Sequence, residues 1–527
     1  MRPPDTGFKP VHPTARRRQR SAGGALVPTL IGSVLLVIVG AILVAVNWPF
    51  KKQTVIDALQ ESSAQSVRLD RFYRTYFPPG CVSEGIRFLH GKNKDEPPLI
   101  TIQKLTIQGS YARIFTFQRH LPLVRVEGMR VTVPPKSPDG RSTRVMPVTQ
   151  TKSKRSTEIG TVIADGTVLD FLPSGPGKPP LHLMIHKLAL DDLGKNQPIS
   201  YRATIFNSNP PGEIQSTGRF GPWNPVDPRR TAVTGSYTFR NANLAFFKAI
   251  SGTLYSKGKF SGILDHIEVA GTTDTPNFQV FNTSHTRRLT TEFHAALDAT
   301  GGDTFLENVI GHFDRTTVAA TGSVTGEKGK LTSVDLFGTD GRIEDLLNLF
   351  IKDKRPPMTG GVRFRAHVEL PPESESFIKK LKLVGDFGIG GGKFMNPHTQ
   401  GGIGKLSESA QKAEKWDHPE DPATVVSNLK GHVVAQDGIA TLSNLSFSVP
   451  GAHAQMHGTF SLLDHNVDLH GTLITTGKVS DATSGLKAAL IKVVTPLFKR
   501  RASAKIVPFK ITGKYQHTTV SLDLNKK

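Results

Sequence analysis

Residues 444–460, Asn-Leu-Ser-Phe-Ser-Val-Pro-Gly-Ala-His-Ala-Gln-Met-His-Gly-Thr-Phe, switch between apolar and polar side chains at nearly every step. Leu445, Phe447 and Val449 alternate with Asn444, Ser446 and Ser448. After Pro450-Gly451, Ala452, Ala454 and Met456 alternate with His453, Gln455 and His457. Successive side chains of a strand point to opposite faces, so a period of two predicts strands with one apolar and one wet face. The pattern continues through Phe460 and Leu462 to a turn at Asp464-His465-Asn466. Val467, Leu469 and Leu473 then oppose Asp468, His470 and Thr472, and Val520, Leu522 and Leu524 oppose Ser521 and Asp523. The last hundred residues therefore predict an antiparallel meander. Leu445, Phe447, Val449, Phe460, Leu462, Val467, Leu469, Leu522 and Leu524 are expected on its inner face, with His453, His457, His470 and Asp523 outside. Phe447 and Phe460 are expected to meet across it, which a closed core would use as readily as an open groove.

The same period recurs upstream. In Leu123–Val133 the apolar parity changes at Gly128, from Val124 and Val126 to Met129, Val131 and Val133, which marks a bulge or bend. Val162–Leu172 predicts a hairpin folded at Asp165-Gly166. Helices are few: a lead-in over Gln53–Ser66, a short one carrying Ile343, Leu346, Leu347 and Phe350, and an amphipathic one over Ser480–Phe498. Arg141–Ser156 and Lys405–Pro422 are polar and predict loops. Some 450 residues of alternating strands with little helix exceed an ordinary sandwich. The expected fold is mainly β: an elongated, curved antiparallel sheet forming a groove, with a few short amphipathic helices. Between 20 and 25 strands at about 4.8 Å spacing give a trough roughly 100–120 Å long. An apolar trough open to water is an aggregation hazard unless an apolar ligand fills it, which points to lipid. The competing geometry is several closed sandwiches in series.

The start of the chain is different. Ser21–Phe50 holds no charged residue and Leu30–Val46 is almost wholly aliphatic, with Arg16, Arg17, Arg18 and Arg20 before it and Trp48 near its end. That length suits one transmembrane helix, and it exceeds the apolar run of a cleaved signal peptide. The basic tail predicts a cytoplasmic N-terminus and an exported body. The expected organisation is a basic tail over 1–25, an anchor over 26–50, an exported β-groove region over 51–400 and a C-terminal meander with its helix over 401–527. Cys81 stands alone, so no internal disulfide framework exists. The net charge of +22 suits anionic surfaces such as lipid head groups.

Catalytic patterns are missing. The chain has no G-x-S-x-G, no H-E-x-x-H, and a lone Asp386-Phe387-Gly388 without the rest of a kinase. Gly390-Gly391-Gly392-Lys393 lacks the earlier glycine and the Ser/Thr of a phosphate loop, and predicts a flexible turn. His453, His457, His465 and His470 lack the cysteines or dense acids of a metal site. No basic run interleaves with stacking aromatics, as nucleic-acid binding would require. The expectation is no catalytic residue, no cofactor, no metal and no nucleic-acid partner.

Several stretches resemble the AsmA-like family of single-span bacterial envelope proteins. They are Ser66-Val67-Arg68-Leu69 through Tyr76-Phe77-Pro78, Leu99–Ile107 and Val124–Val131. Others are Asn209-Pro210-Pro211-Gly212, Gly218–Trp223, Thr231–Phe239, Gly252-Thr253-Leu254 and Gly258–Gly262. Towards the end come Val449–Ala452, Gly458–Leu462, Leu469-His470-Gly471, Pro496–Lys499 and Val507–Gly513. The resemblance implies a groove of repeating β elements anchored in the inner membrane, with its body in the periplasm. It further implies a lipid-binding or lipid-transfer role in outer-membrane homeostasis, with phospholipid or another acyl lipid as partner. The alternative is a scaffold for envelope proteins with a closed β core. On the expected topology, protease added to intact spheroplasts should destroy a C-terminal tag. Survival of the tag until lysis would overturn that topology.

Overall fold

The computed structural model describes residues 50–523, apart from 64–65, 90–97, 99, 112–119, 134–157, 172–180, 194–197, 223–227, 281–284, 300, 326–330, 350–354, 373–374, 414–420, 422–424, 476–505 and 515–516. The anchor region, the polar 141–156 segment, the 480–498 helix and Leu524 lie outside the described residues. No helix among them is long and apolar enough to cross a membrane. Residues up to Val55 form one unit and Ile56 onward a second, which holds the fold.

Its described residues form one sheet of 24 strands, curled into a half-barrel. Its first six strands are β1 (Ser66–Thr75), β2 (Gly80–Leu89), β3 (Ile100–Gln108), β4 (His120–Val133), β5 (Glu158–Phe171) and β6 (Leu181–Leu193). Next come β7 (Ile199–Ser208), β8 (Pro211–Phe220), β9 (Ala232–Asn243), the two-residue β10 (Ile250–Ser251), β11 (Thr253–Ile263) and β12 (His266–Val280). Then follow β13 (Arg287–Leu297), β14 (Thr304–Phe313), β15 (Thr316–Thr325), β16 (Leu331–Arg342), β17 (Met358–Leu370) and β18 (Lys382–Phe394). The last are β19 (Ser427–Gln436), β20 (Ile439–Val449), β21 (Ala452–Ser461), β22 (Asn466–Thr475), β23 (Ile506–Lys514) and β24 (Thr519–Leu522). Each strand pairs with its neighbour in sequence, save that β10 extends the edge of β12 and β9 pairs directly with β11. Among the described residues, four helices accompany them: α1 (Lys52–Ser63), α2 (Ile343–Asn348), α3 (Phe377–Lys380) and α4 (Pro397–Ala413).

Four expectations need correction. β4 and β5 pair in parallel, against the antiparallel rule of every other pair described. The connection over 134–157 supplies the dozen or more residues that a parallel crossover requires. The expected hairpin at Asp165-Gly166 is one continuous strand. Gly166 has φ +67°, which turns the side-chain alternation without reversing the chain. Residues 405–413, expected as loop, belong to α4. Its inner stripe is polar: Ser407 donates to the Pro450 carbonyl (2.9 Å), and the buried Gln411 amide donates to Ser407 Oγ (2.8 Å). Finally, the glycines at 390–392 sit inside β18, at a bulge against β17 and β19, and not in a turn.

The parity change at Gly128 is part of a larger feature. Buried residues switch parity in β2 from Cys81 and Ser83 to Ile86 and Phe88, and in β3 from Ile102 to Leu105 and Ile107. The switch points Asp70, Gly85, Gln103, Gly128, Gly166 and His186 fall between the same paired rows of β1–β6. A crease crosses six strands together, so the apolar face is preserved while the sheet bends. Gly85, Gly128 and Gly166 all have φ between 63° and 67°. A Cβ at Gly128 would lie 2.4 Å from the Gln103 side chain, whereas at Gly166 nothing lies within 4 Å. Gly128→Val should therefore lower stability by about 2 kcal/mol, combining the left-handed penalty with the clash, while Gly166→Asn should cost well under half of that. Urea unfolding midpoints of the two variants test this. Equal losses would remove the crease as their cause.

Candidate functional site

Directly paired residues of neighbouring strands share a face, so the register can be followed across the sheet. One row runs Val362, Ile389, Leu429, Phe447, Ala454 and Leu473. A parallel row runs Ala366, Gly385, Val433, Leu442, Gly458 and Leu469. In the middle of the sheet the same face carries Phe293, Gly271, Gly258, Tyr237, Ser216 and Ala203. Across β7–β12 and β14–β23 the register places no charged residue on this face among the described ones. Arg287, at the start of β13, lies at its margin and is paired to Asp314 (3.4 Å). The opposite face carries the charges, many of them tied across strands. Examples are Lys104–Glu127 (3.1 Å), Arg130–Asp170 (2.8 Å), Arg202–Asp191 (2.8 Å) and the two-pronged Arg288–Asp274 pair.

Most residues of the uncharged face in β7–β16 are half-buried, whereas their strand neighbours on the charged face are largely exposed. The elements that pack on the described sheet are α2, α4 and a short 3-10 turn at Leu244–Phe247. No second layer of strands lies over it among the described residues. The shielding therefore comes from side chains on the same face, as happens on the inner side of a curl. Rings here lie low. A Cβ at Gly338 would fall 2.3 Å from the Phe364 ring, at Gly235 2.9 Å from Phe260, and at Gly258 2.8 Å from Tyr237. Each aromatic ring thus covers the bare backbone of the next strand and does not stand up into the trough.

The nine expected lining residues separate into three groups. Val449 is buried in a closed cluster with Val425 and Ala452, packed by Ile403 of α4, Phe447 and Leu473. Leu445 is likewise buried. Phe447 does not meet Phe460: it stands opposite Leu429 and Ala454, and its ring lies against Phe394 (6.5 Å). Phe460 pairs with Ala440 and Val467 instead, because a register shift between Leu442 and Leu445 and the distance from the Pro450 turn set it far along the hairpin. Phe460, Val467 and Leu469 lie half-buried on the open part of the face, and Leu462 follows in the turn. Register puts Leu522 opposite Phe509 on the same face. His453, His457 and His470 occupy the other face. There His470 Nδ1 bonds Asp523 (2.7 Å) and its ring stacks on His457.

Two helices close one margin of the trough. Ile343, Leu346 and Leu347 of α2 pack against Met358, Val362 and Ile389. The α2 end is clasped by two buried carboxylates that composition alone did not single out. Asp345 accepts from the Arg315 backbone N–H (3.0 Å) and from Thr316 Oγ1 (2.9 Å). Glu344 accepts from Arg315 (2.7 Å), Arg342 (3.1 Å) and the Gly360 N–H (3.1 Å). No group of three or more His, Cys, Asp or Glu among the described residues is placed to hold a metal ion. Burial pushes the Cys81 thiol up to about 12, leaving it protonated and unreactive. The chain matches no protein-family model, no curated protein and no solved structure.

Burial works to raise the Glu344 pKa, but the backbone N–H groups and Arg342 outweigh it and hold the carboxyl below its ordinary range. The folded state thus binds this proton less tightly than the unfolded chain does. Its contribution is complete above the ordinary carboxylate range and fades as the pH falls through the lowered value. Glu344→Gln should cost about 2 kcal/mol near neutral pH, because the buried carboxylate that accepts from the partly exposed Arg315 and Arg342 and from the Gly360 N–H becomes an amide that cannot satisfy all three. Urea midpoints of parent and variant should converge as the pH drops from about 6 to about 3. A gap that stays constant over that interval would refute the clasp.

Proposed function

We propose that this chain is a membrane-anchored envelope protein that binds acyl lipids along the uncharged face of its half-barrel and passes them along it. The observation that carries this reading is the continuity of that face: strand after strand presents apolar, glycine or small hydroxyl side chains, half-buried, with no layer over most of it among the described residues. An uncovered apolar surface of this extent marks a ligand or partner surface. The resemblance to AsmA-like proteins and the apolar run before Phe50 support an inner-membrane anchor, a periplasmic body and a role in outer-membrane homeostasis. The chemistry required is passive: apolar side chains hold the tails and water keeps the head groups at the mouth.

A photo-crosslinking residue at Leu469 should capture lipid in living cells, and one at His457, on the opposite face, should not. With the crosslinking residue moved to Phe460 on the same face, Leu469→Glu should reduce captured lipid severalfold while the sheet stays folded, because an open trough leaves the carboxylate hydrated. Protein-only crosslinks at Leu469, with global unfolding of Leu469→Glu, would replace this reading with a closed scaffold for envelope proteins.

A further inference from the structure

On the charged face, between β17 and β19, two cations stand close together without a facing acid. In the row through β17, β18 and β19, Arg365 stands opposite Asp386 and Asp386 opposite His432, whose Nδ1 lies 2.8 Å from the carboxylate. Two residues along, the row is Arg363, Gly388, Lys430 and Ser446. Here two cations flank an empty position about 10 Å apart, two strand spacings, with no acid between them. Neither the Arg363 nor the Lys430 side chain has a hydrogen-bond or ion-pair partner among the described residues.

The glycines there serve no packing purpose. A Cβ at Gly388 would meet nothing within 4 Å, nor would one at Gly391, and one at Gly390 would touch only Asn428 Oδ1 at 3.7 Å. What they leave is a hollow of about 710 Å³. Its walls include Arg363, Lys430, Asn428, Ser446 and Ser448. On β16, in the bulge opposite Arg363, lies Asp340, followed by Arg342, which is already occupied by Glu344. Asn428 accepts the Gly391 N–H through Oδ1 (3.3 Å), which leaves its NH2 as a donor. The hollow thus presents a guanidinium fork, an ammonium, two hydroxyls and an amide, with a single carboxylate at its edge.

We infer that this hollow is an anion site for a phosphate ester of head-group size. The fork of Arg363 suits two phosphate oxygens and Lys430 supplies a point charge from the other side. The volume lies in the range of small-molecule pockets and exceeds what a bare phosphate fills. The site is on the face opposite the trough and stands whether or not the trough holds lipid. Its ligand is either the head group of an anionic lipid or a soluble phosphate ester.

The full chain in maltoside micelles distinguishes these sources. Acetylation of Lys430 by acetic anhydride is followed by peptide mass spectrometry, with Lys259 on the charged face of β11 as internal control. Inorganic phosphate and glycerol phosphate are one probe, and micelles carrying phosphatidic acid the other. At about ten times the dissociation constant, Lys430 should react roughly tenfold more slowly, with Lys259 unchanged. Protection by the soluble probes assigns a soluble ester, and protection by phosphatidic acid alone assigns a lipid head group. Gly388→Val, which fills the hollow without removing a charge, and Arg363→Gln should each abolish protection while urea midpoints stay close to the parent. No protection by either probe, equal protection of Lys259, or protection that survives in both variants would overturn the site.

Discussion

Apart from the two-residue β10, every described strand of this sheet is bound to the next by a backbone ladder, and that ladder decides which side of the sheet each side chain occupies. A slip of one residue would turn a whole strand's apolar set to the charged face. In a sandwich, a second layer would enforce the register by burying one face. Here most of the sheet lacks that help among the described residues, so specification falls on the ladder, the turns and the cross-strand charges. Pairs such as Arg288–Asp274 are exposed and contribute little to stability. Their greater service is to penalise a wrong register, which would set like charges opposite one another.

A flat sheet of such length would neither close nor shield its apolar side, so the bends matter as much as the ladder. They are of two kinds. Register shifts, as between Leu442 and Leu445 or between Thr359 and Gly361, add a residue to one strand and bend it locally. The crease through Gly85, Gly128 and Gly166 adds none. All six strands change parity at the same level, which bends them as a group and keeps the apolar residues on one side. Glycines on the inner face contribute further by admitting rings from adjacent strands, which keeps the trough wall low.

Much of this was legible in the sequence, because a period of two survives any tertiary context. The sides of Phe460, Val467 and Leu469, and of His457 and His470, follow from alternation alone. Gly128 was legible as a bend because the parity of the valines changes around it. Gly166 misled, since Asp-Gly is the commonest short-turn signal and only the neighbouring strands reveal that it aligns with Gly128. Helix α4 was hidden because its inward stripe, Gln400, Ile403, Ser407 and Gln411, is polar apart from Ile403, the polar members bonding backbone groups and one another. The Glu344–Asp345 clasp and the Arg363–Lys430 hollow were invisible for a different reason. They join residues far apart in the chain, and no local pattern records which cation meets an acid and which does not.

The half-exposure of the inner face bears on how such a trough would work. Moving a tail of about 15 methylenes from water to a fully apolar site is worth about 12 kcal/mol, at roughly 0.8 kcal/mol per group. A bilayer supplies nearly the same amount, so a deep closed pocket would gain little by extraction and would release its lipid slowly. A shallow trough with rings laid flat covers one side of the tail and leaves the other to a neighbouring tail or to water. Its hold at any one row is weaker than the bilayer's, but the next row, about 4.8 Å away, offers the same hold again. Because no charge interrupts the described face over β14–β23, a tail moving along it as proposed would meet no desolvation step of the several kcal/mol that a lone buried charge would impose. Uniformity from row to row, more than affinity at any one of them, is the property that movement along the sheet requires.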